Sequence, residues 1–140
     1  MRFSVDGGTT WSSWQTYATS ASVTLADADG TSTVKYELRD KAGNSQVYAD
    51  TILLDRAAPV GSVTINAGAT YTSATAVSIG LNVTDALSGL VDMCFSANGT
   101  TWSSWQSFAA TAAYTLATGD GSKTVYVKIR DAAGNAFQTS

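Results

Sequence analysis

Apolar and polar residues alternate one by one along several short stretches of the chain. The period of two is typical of β-strands that bury one face, since successive side chains of a strand point to opposite sides. The stretches are residues 22–25, 33–39, 50–55, 62–65, 76–84 and 125–129. Turns rich in glycine and aspartate separate them, for example residues 40–44 and 85–89. We therefore expect an all-β protein built from short strands.

The segment TTWSSWQ occurs at residues 9–15 and again at residues 100–106. The flanking residues align over most of the chain, at a spacing of 91 to 92 residues. The chain is therefore predicted to contain about one and a half copies of one unit. Residues 1–55 form a first repeat that lacks its first two strands, and residues 56–60 form a short linker. Residues 61–140 form a second repeat whose closing strand is cut short.

The alternation also predicts which side chains form a core. In the first repeat Val34, Tyr36 and Leu38 share one face, but the strands that would cover this face are missing from that repeat. Aromatic anchors are common in β-rich cores, so Trp11 and Trp102 are each expected inside. In the second repeat the predicted core comprises Val63, Ile65, Val77, Ile79, Leu81, Val83, Met93, Phe95, Trp102, Leu116, Val125, Val127 and Ile129.

Five segments carry a resemblance to a known family. They are FSVDGGTTWSSWQTY, TVKYELRDKAGN, DTILLD followed by a proline, FSANGTTWSSWQSF and KTVYVKIRDAAGN. The chain resembles the bacterial and archaeal immunoglobulin-like repeats that occur in tandem on cell-surface and secreted proteins. This resemblance implies immunoglobulin-like Greek-key β-sandwiches, one partial and one nearly complete. It also implies an extracellular or cell-surface location, in a stalk, spacer, filament, adhesin or accessory module.

A second, local resemblance covers residues 4–11, which are similar to the Asp-box hairpin of sialidases. It implies an aspartate that caps backbone amides, a glycine with positive φ and a tryptophan packed under the hairpin. In sialidases this motif is a folding element away from the catalytic centre. The second copy has Asn98 in place of the aspartate, so no sialidase chemistry is expected. The matching residues are Ser4, Asp6, Gly8, Thr10 and Trp11.

Composition and charge exclude several functions. The net charge is −3, and the eight lysines and arginines form no cluster, so the basic surface that nucleic acids or anionic membranes require is missing. The chain has no histidine, which excludes histidine-based triads and zinc sites. We expect no enzymatic activity, no nucleic-acid partner and no membrane insertion. Met1 aligns with Met93, inside the second copy, so a signal sequence is expected upstream of this chain.

Cys94 is the single cysteine, and it cannot form an intramolecular disulfide. Alternation places Val91, Met93 and Phe95 on one face of their strand and Cys94 with Asp92 on the other. The thiol is therefore expected to face outward, as an inert free thiol or as a link to another chain.

Turn aspartates are the candidate ligands for calcium, and no other metal or cofactor is expected. The candidates are Asp85, Asp120 and Asp131, although they form no dense cluster in the sequence. Asp27 and Asp29 could in principle flank a glycosidic bond, but their place in a hairpin turn favours backbone capping instead.

Two further kinds of site involve exposed side chains. Trp14 and Trp105 could stack on sugar rings, as in a carbohydrate-binding module. Two glycosylation sequons place Asn82 on the outward face of a strand and Asn98 at a hairpin turn.

Two function classes follow. The first is a structural module that contacts neighbouring repeats or identical subunits, arranged head to tail and exchanging strands. The alternative is an adhesin or carbohydrate-binding accessory module. Exposed, coplanar Trp14 and Trp105 would favour the alternative, and burial of these rings would favour the structural module.

Overall fold

The computed structural model describes residues 1–26 and 28–140. These residues form ten strands in three antiparallel sheets, with one 3₁₀ turn at Asn66–Gly68, so the all-β prediction is confirmed. The chain divides into two compact units, Met1–Asp55 (unit 1) and Arg56–Ser140 (unit 2). The division falls where the sequence places the end of the first repeat.

Unit 1 contains one sheet of three strands, β1 (Arg2–Ser4), β2 (Gly30–Arg39) and β3 (Ser45–Leu54), in the order β1-β2-β3. The β2–β3 hairpin is closed by a hydrogen bond of 3.0 Å from Asp40 N to Asn44 O. The closing strand begins earlier than residue 50, because β3 pairs with β2 along the full length of both strands. Asp27, predicted to lie in the turn before β2, is outside the described residues.

Unit 2 contains two sheets. The first has the order β4-β5-β8, with β4 at Val60–Ile65, β5 at Ala76–Thr84 and β8 at Thr111–Thr115. The second has the order β10-β9-β6-β7, and its strands are β6 (Leu90–Ser96), β7 (Gln106–Ser107), β9 (Tyr126–Asp131) and β10 (Ala136–Thr139).

The strand predicted at residues 22–25 is wrong, and unit 2 provides the reason. Residues 20–24 align with β8, which pairs with β5 through Val77 opposite Tyr114. The described part of unit 1 has no counterpart of β5. Without that partner residues 21–26 form no strand, although their sequence alternates in the same way.

The core of unit 2 is formed by side chains from both of its sheets, as in a β-sandwich. Ile79 of β5 and Val127 and Ile129 of β9 are completely buried. The predicted core is confirmed except for Trp102, with Val63 and Ile65 half-buried at its edge. Other partly buried residues that pack against this core are Leu90, Phe108, Ala112, Tyr114 and Phe137.

Val91 does not share the core face with Met93 and Phe95, which corrects the prediction. The pairing of β6 with β9 shifts between Leu90 and Asp92, so Val91 is the extra residue of a β-bulge. The bulge turns Val91 outward, where it is 48% exposed, and Leu90 packs against the core instead.

Candidate functional site

The two tryptophan segments run beside corresponding strands, β1 in unit 1 and β6 in unit 2, and are held by the same pair of hydrogen bonds. In unit 1, Ser12 N donates to Phe3 O at 2.8 Å, and Phe3 N donates to Ser12 Oγ at 2.9 Å. In unit 2, Ser103 N donates to Phe95 O at 2.9 Å, and Phe95 N donates to Ser103 Oγ at 3.0 Å. The repeated sequence therefore encodes a repeated edge of each sheet.

The tryptophan rings of unit 1 lie on one face of its sheet among arginines. The Arg2 guanidinium carbon is 4.8 Å from the ring centres of both Trp11 and Trp14, and that of Arg39 is 4.1 Å from Trp14. Arg2 Nε also donates to Glu37 Oε2 at 2.5 Å. We call this set the tryptophan face of unit 1. Hydrogen bonds from the Ser45 hydroxyl and from Arg2 hold the pKa of Glu37 below its ordinary value.

Unit 2 has a corresponding tryptophan face in which one cation comes from a different strand. The Arg130 guanidinium carbon is 4.5 Å from the ring centre of Trp105, which corresponds to the contact of Arg39 with Trp14 in unit 1. Arg130 also donates hydrogen bonds to the Asp92 carboxylate. Lys128 Nζ lies 4.3 Å from Trp102. Arg2 of unit 1 aligns with Cys94, and Glu37 aligns with Lys128. The cation has thus moved to the neighbouring strand, while a cation–π contact is kept.

The pattern of alternation did not identify Arg2, Glu37, Lys128 and Arg130 as partners of the tryptophans. The sequence did contain a signal for these contacts. Where the first copy has Arg2 and Glu37, the second copy has Cys94 and Lys128, so both positions change together. Such a paired change between two copies indicates side chains that touch.

The expectation that Trp11 and Trp102 lie in a core is wrong. Both rings are half-buried on the face opposite the apolar side chains of their sheets. Lys128, the cation partner of Trp102, alternates along β9 with the core residues Val127 and Ile129. Arg2, the partner of Trp11, alternates along β1 with Phe3 of the apolar face, so both rings lie on the opposite face. Trp14 is 37% exposed and Trp105 is 41% exposed, with arginine against each ring.

The outward-facing thiol is also a wrong prediction, since Cys94 is only 1% exposed. Its side chain does lie on the face opposite Met93 and Phe95, paired with Lys128. Trp105 on the same face is 41% exposed, but the thiol itself is not open to water. Burial raises the pKa of the Cys94 thiol, with the nearby Lys128 charge acting in the opposite direction.

The hairpin before Trp11 has the turn chemistry that the Asp-box resemblance implies. The Asp6 carboxylate accepts hydrogen bonds from the hydroxyl and the backbone amide of Thr10 and from the Ser4 hydroxyl. These bonds, that of the Thr10 hydroxyl first, hold the pKa of Asp6 far below its ordinary value. Gly8 has a φ of 101°, and the Trp11 indole donates to Gly8 O at 3.1 Å.

Asn98 takes the place of Asp6 in unit 2. Its Oδ1 accepts from the amides of Thr100 and Thr101 and from the Ser96 hydroxyl. Asn98 and Asn82 are both exposed, Asn82 on the outward face of β5. Glycan attachment stays a prediction, which the intact mass of native material would test.

Of the three calcium candidates, Asp85 and Asp131 lie close together and Asp120 lies elsewhere in unit 2. Asp85 and Asp131 each present a carboxylate oxygen within 4.8 Å of the other. Both already cap turns, because Asp85 accepts from Leu87 N and Gly89 N, and Asp131 accepts from the Asn135 amide groups. Asp120 belongs to a separate loop. Calcium binding therefore stays a prediction.

The other face of the unit 1 sheet is what we call the open face, and it is the largest difference from unit 2. Tyr36 stacks on Tyr48 with ring centres 5.1 Å apart. Tyr48 is 46% exposed and Ile52 is 55% exposed. Among the described residues of unit 1 no apolar side chain is buried. The open face comprises Phe3, Val34, Tyr36, Leu38, Tyr48 and Ile52.

Comparison with known proteins finds no matching family model, no similar curated protein and no similar solved structure. No helix long and apolar enough to cross a bilayer occurs among residues 1–26 and 28–140.

Proposed function

We propose that this chain is a structural, non-enzymatic module of an extracellular or cell-surface protein made of tandem immunoglobulin-like repeats. Its role is to extend, space or assemble, as part of a stalk or filament. The strand orders β4-β5-β8 and β10-β9-β6-β7, with a shared core, support an immunoglobulin-like Greek-key sandwich for unit 2. The internal repeat supports a tandem array.

The open face of unit 1 is the single observation that carries this proposal. Val34, Tyr36 and Leu38 align with Val125, Val127 and Ile129, which are buried in unit 2. In unit 2 these side chains pack against residues of β4, β5 and β8. An exposed apolar sheet face of this kind marks an interaction surface. We infer that unit 1 is completed by two strands equivalent to β4 and β5.

These strands come from a neighbouring repeat or from an identical subunit. In the second case the strands β4 and β5 in unit 2 of one subunit cover unit 1 of the next, so contacts run head to tail and build an open filament. The isolated chain should then polymerise, or its first third should be poorly folded.

Adding the missing strands tests the proposal. A second copy of residues 56–92 is fused before Met1, so that Met1 follows the added strands as Met93 follows β4 and β5 in unit 2. The fusion should be monomeric and should protect the amides of residues 33–39 from exchange. The matched control carries Leu81→Asp in the added copy only, which puts a charge where the covering strand meets the core. Equal amide protection in the control and the fusion would contradict the proposal.

The alternative function, a carbohydrate-binding or adhesin module that uses Trp14 and Trp105, has weaker support. Both rings are partly exposed, but arginines lie 4.1 Å and 4.5 Å from their centres. A sugar would have to displace a guanidinium group in order to stack on those ring faces. The structural module is therefore preferred.

A further inference from the structure

Unit 2 contains a cavity that the structural role does not use. It lies at one end of the unit and has a volume of about 610 Å³. One wall is formed by residues 66–75 and the other by residues 117–123, while Ile65 and Leu116 contribute apolar surface between them. Leu116 N donates to Thr75 O at 2.9 Å, which joins the two walls. We call this cavity the polar pocket.

The wall at residues 66–75 is held in shape by its own hydrogen bonds. Asn66 and Ala67 have φ values of 46° and 56°, a conformation that non-glycine residues adopt only when their surroundings impose it. The Asn66 side chain accepts a hydrogen bond from Ser78 N at 2.9 Å, which ties this turn to β5. Thr72 Oγ1 accepts from Ala74 N at 3.1 Å. These hydrogen bonds fix the shape of this wall.

The opposite wall carries the charged groups. Gly119 and Gly121 have φ values of 88° and 113°, which permits a tight loop. The loop presents Asp120, and Lys123 Nζ donates to Thr118 O at 3.4 Å across its base. The negative charge of Asp120 and the positive charge of Lys123 cancel, so this wall has no net charge.

The lining of the pocket selects among ligand classes. Its polar groups are mostly hydroxyls, from Thr70, Thr72, Ser73, Thr75 and Ser122. A single lysine beside an aspartate is poorly suited to a phosphate or another strong anion. Hydroxyl-rich walls are equally unsuited to a purely apolar molecule, which would leave those groups desolvated.

Tyr71 adds the feature that points to a specific class. This lining residue is 91% exposed, an unusual position for a large aromatic side chain. An aromatic ring can cover the apolar face of a sugar ring, while hydroxyl, carboxylate and ammonium groups bond the sugar hydroxyls. The volume falls within the roughly 300–1,000 Å³ of small-molecule sites. We propose that the polar pocket binds a neutral carbohydrate, with Tyr71 as stacking residue and Asp120 as hydrogen-bond acceptor.

The sequence of unit 1 provides a counterpart of only one of the two walls, and this difference provides internal controls. Asp29 and Gly30 align with Asp120 and Gly121, so unit 1 has a counterpart of one wall. A counterpart of residues 66–75 is missing from its sequence. Tyr17 of unit 1 is another exposed tyrosine, at 65% exposure, that lies outside the pocket.

Saturation-transfer NMR with a panel of neutral sugars tests the proposal. The panel contains glucose, galactose, mannose, N-acetylglucosamine and lactose at millimolar concentration. The method observes the protons of the sugar, so it works whether or not the chain assembles. At least one sugar should bind, and both Tyr71→Ala and Asp120→Ala should weaken that binding about tenfold. The matched controls Tyr17→Ala and Asp29→Ala should leave it unchanged.

Three results would overturn the proposal. The first is that no sugar of the panel binds. The second is binding that survives both pocket substitutions but is lost on Trp14→Ala or Trp105→Ala, which would place the site on a tryptophan face. The third is that inorganic phosphate competes for the pocket more strongly than any sugar, which would assign an anion site instead.

Discussion

Units 1 and 2 share one repeated sequence but differ in what lies against it. In unit 2 the aligned side chains Val125, Val127 and Ile129 are buried, because β4, β5 and β8 supply a second layer. In unit 1 the aligned Val34, Tyr36 and Leu38 remain partly exposed, and the described residues contain no buried apolar side chain. The same alternation therefore produces a core in one unit and an open face in the other.

The tryptophan faces show the opposite behaviour, because both units retain them. Each face is formed within the repeated half itself, by a segment that pairs with the first strand and places its rings beside cations of the sheet. This comparison separates two kinds of stabilisation. Contacts within the repeated half persist without the missing strands, whereas the apolar core depends on strands from outside it.

The largest expected effect compares core truncations at one aligned position. Ile129→Ala should lower the free energy of unfolding of unit 2 by about 2–5 kcal/mol, because Ile129 is completely buried. Leu38→Ala, its counterpart in unit 1, should lower it by less than about 1 kcal/mol, because little packing is lost. Denaturant unfolding of both variants measures the difference. Similar losses at the two positions would show that the open face is already packed.

An intermediate change in the stability of unit 1 is expected when the residues at positions 2 and 37 are replaced by those at the aligned positions of unit 2. Arg2→Cys alone should destabilise unit 1, since it leaves Glu37 without its cation and removes the contact with two rings. Glu37→Lys alone should also destabilise it, because two cations then face each other. The double variant reproduces Cys94 with Lys128 and should recover most of the loss. Additive losses in this double-mutant cycle would mean that the two faces are not equivalent.

The smallest expected effect is a pH dependence of the stability of unit 1 that arises from Asp6, in the hairpin before Trp11. The pKa of Asp6 is lowered by folding, so the unfolded chain takes up a proton first as the pH falls. The stabilisation is complete above the unfolded-state pKa of about 4 and is lost progressively below it. Asp6→Asn copies Asn98 of unit 2 and should remove this contribution. Unfolding of both proteins between neutral and acidic pH tests this, and an identical pH dependence would exclude a role for Asp6.

The sequence predicted the strands of unit 2 well because its alternation is regular along β5 and β9. A period of two also identifies which side chains share a face, and it therefore gave nearly the whole core. It does not reveal what covers the opposite face. For this reason Cys94 was predicted to face water, although its side chain is buried. Trp102 was assigned to the core because aromatic rings are usual there.

Other features depend on partners that alternation cannot reveal. Residues 22–25 have a strand-like pattern, but a strand also needs a neighbour, and the described part of unit 1 lacks the equivalent of β5. The bulge at Val91 changes the face without any glycine or proline to mark it. The polar pocket joins two loops that are about fifty residues apart in the sequence, and it contains no local motif.

The most direct test of the central claim is amide hydrogen exchange of the 140-residue chain, combined with sedimentation. Residues 33–39 of β2 are compared with the aligned residues 124–130, most of which belong to β9. If unit 1 lacks its covering strands, the amides of residues 33–39 should exchange much faster in the monomer and become protected only in polymers. A monomer in which both segments are strongly and equally protected would contradict the account.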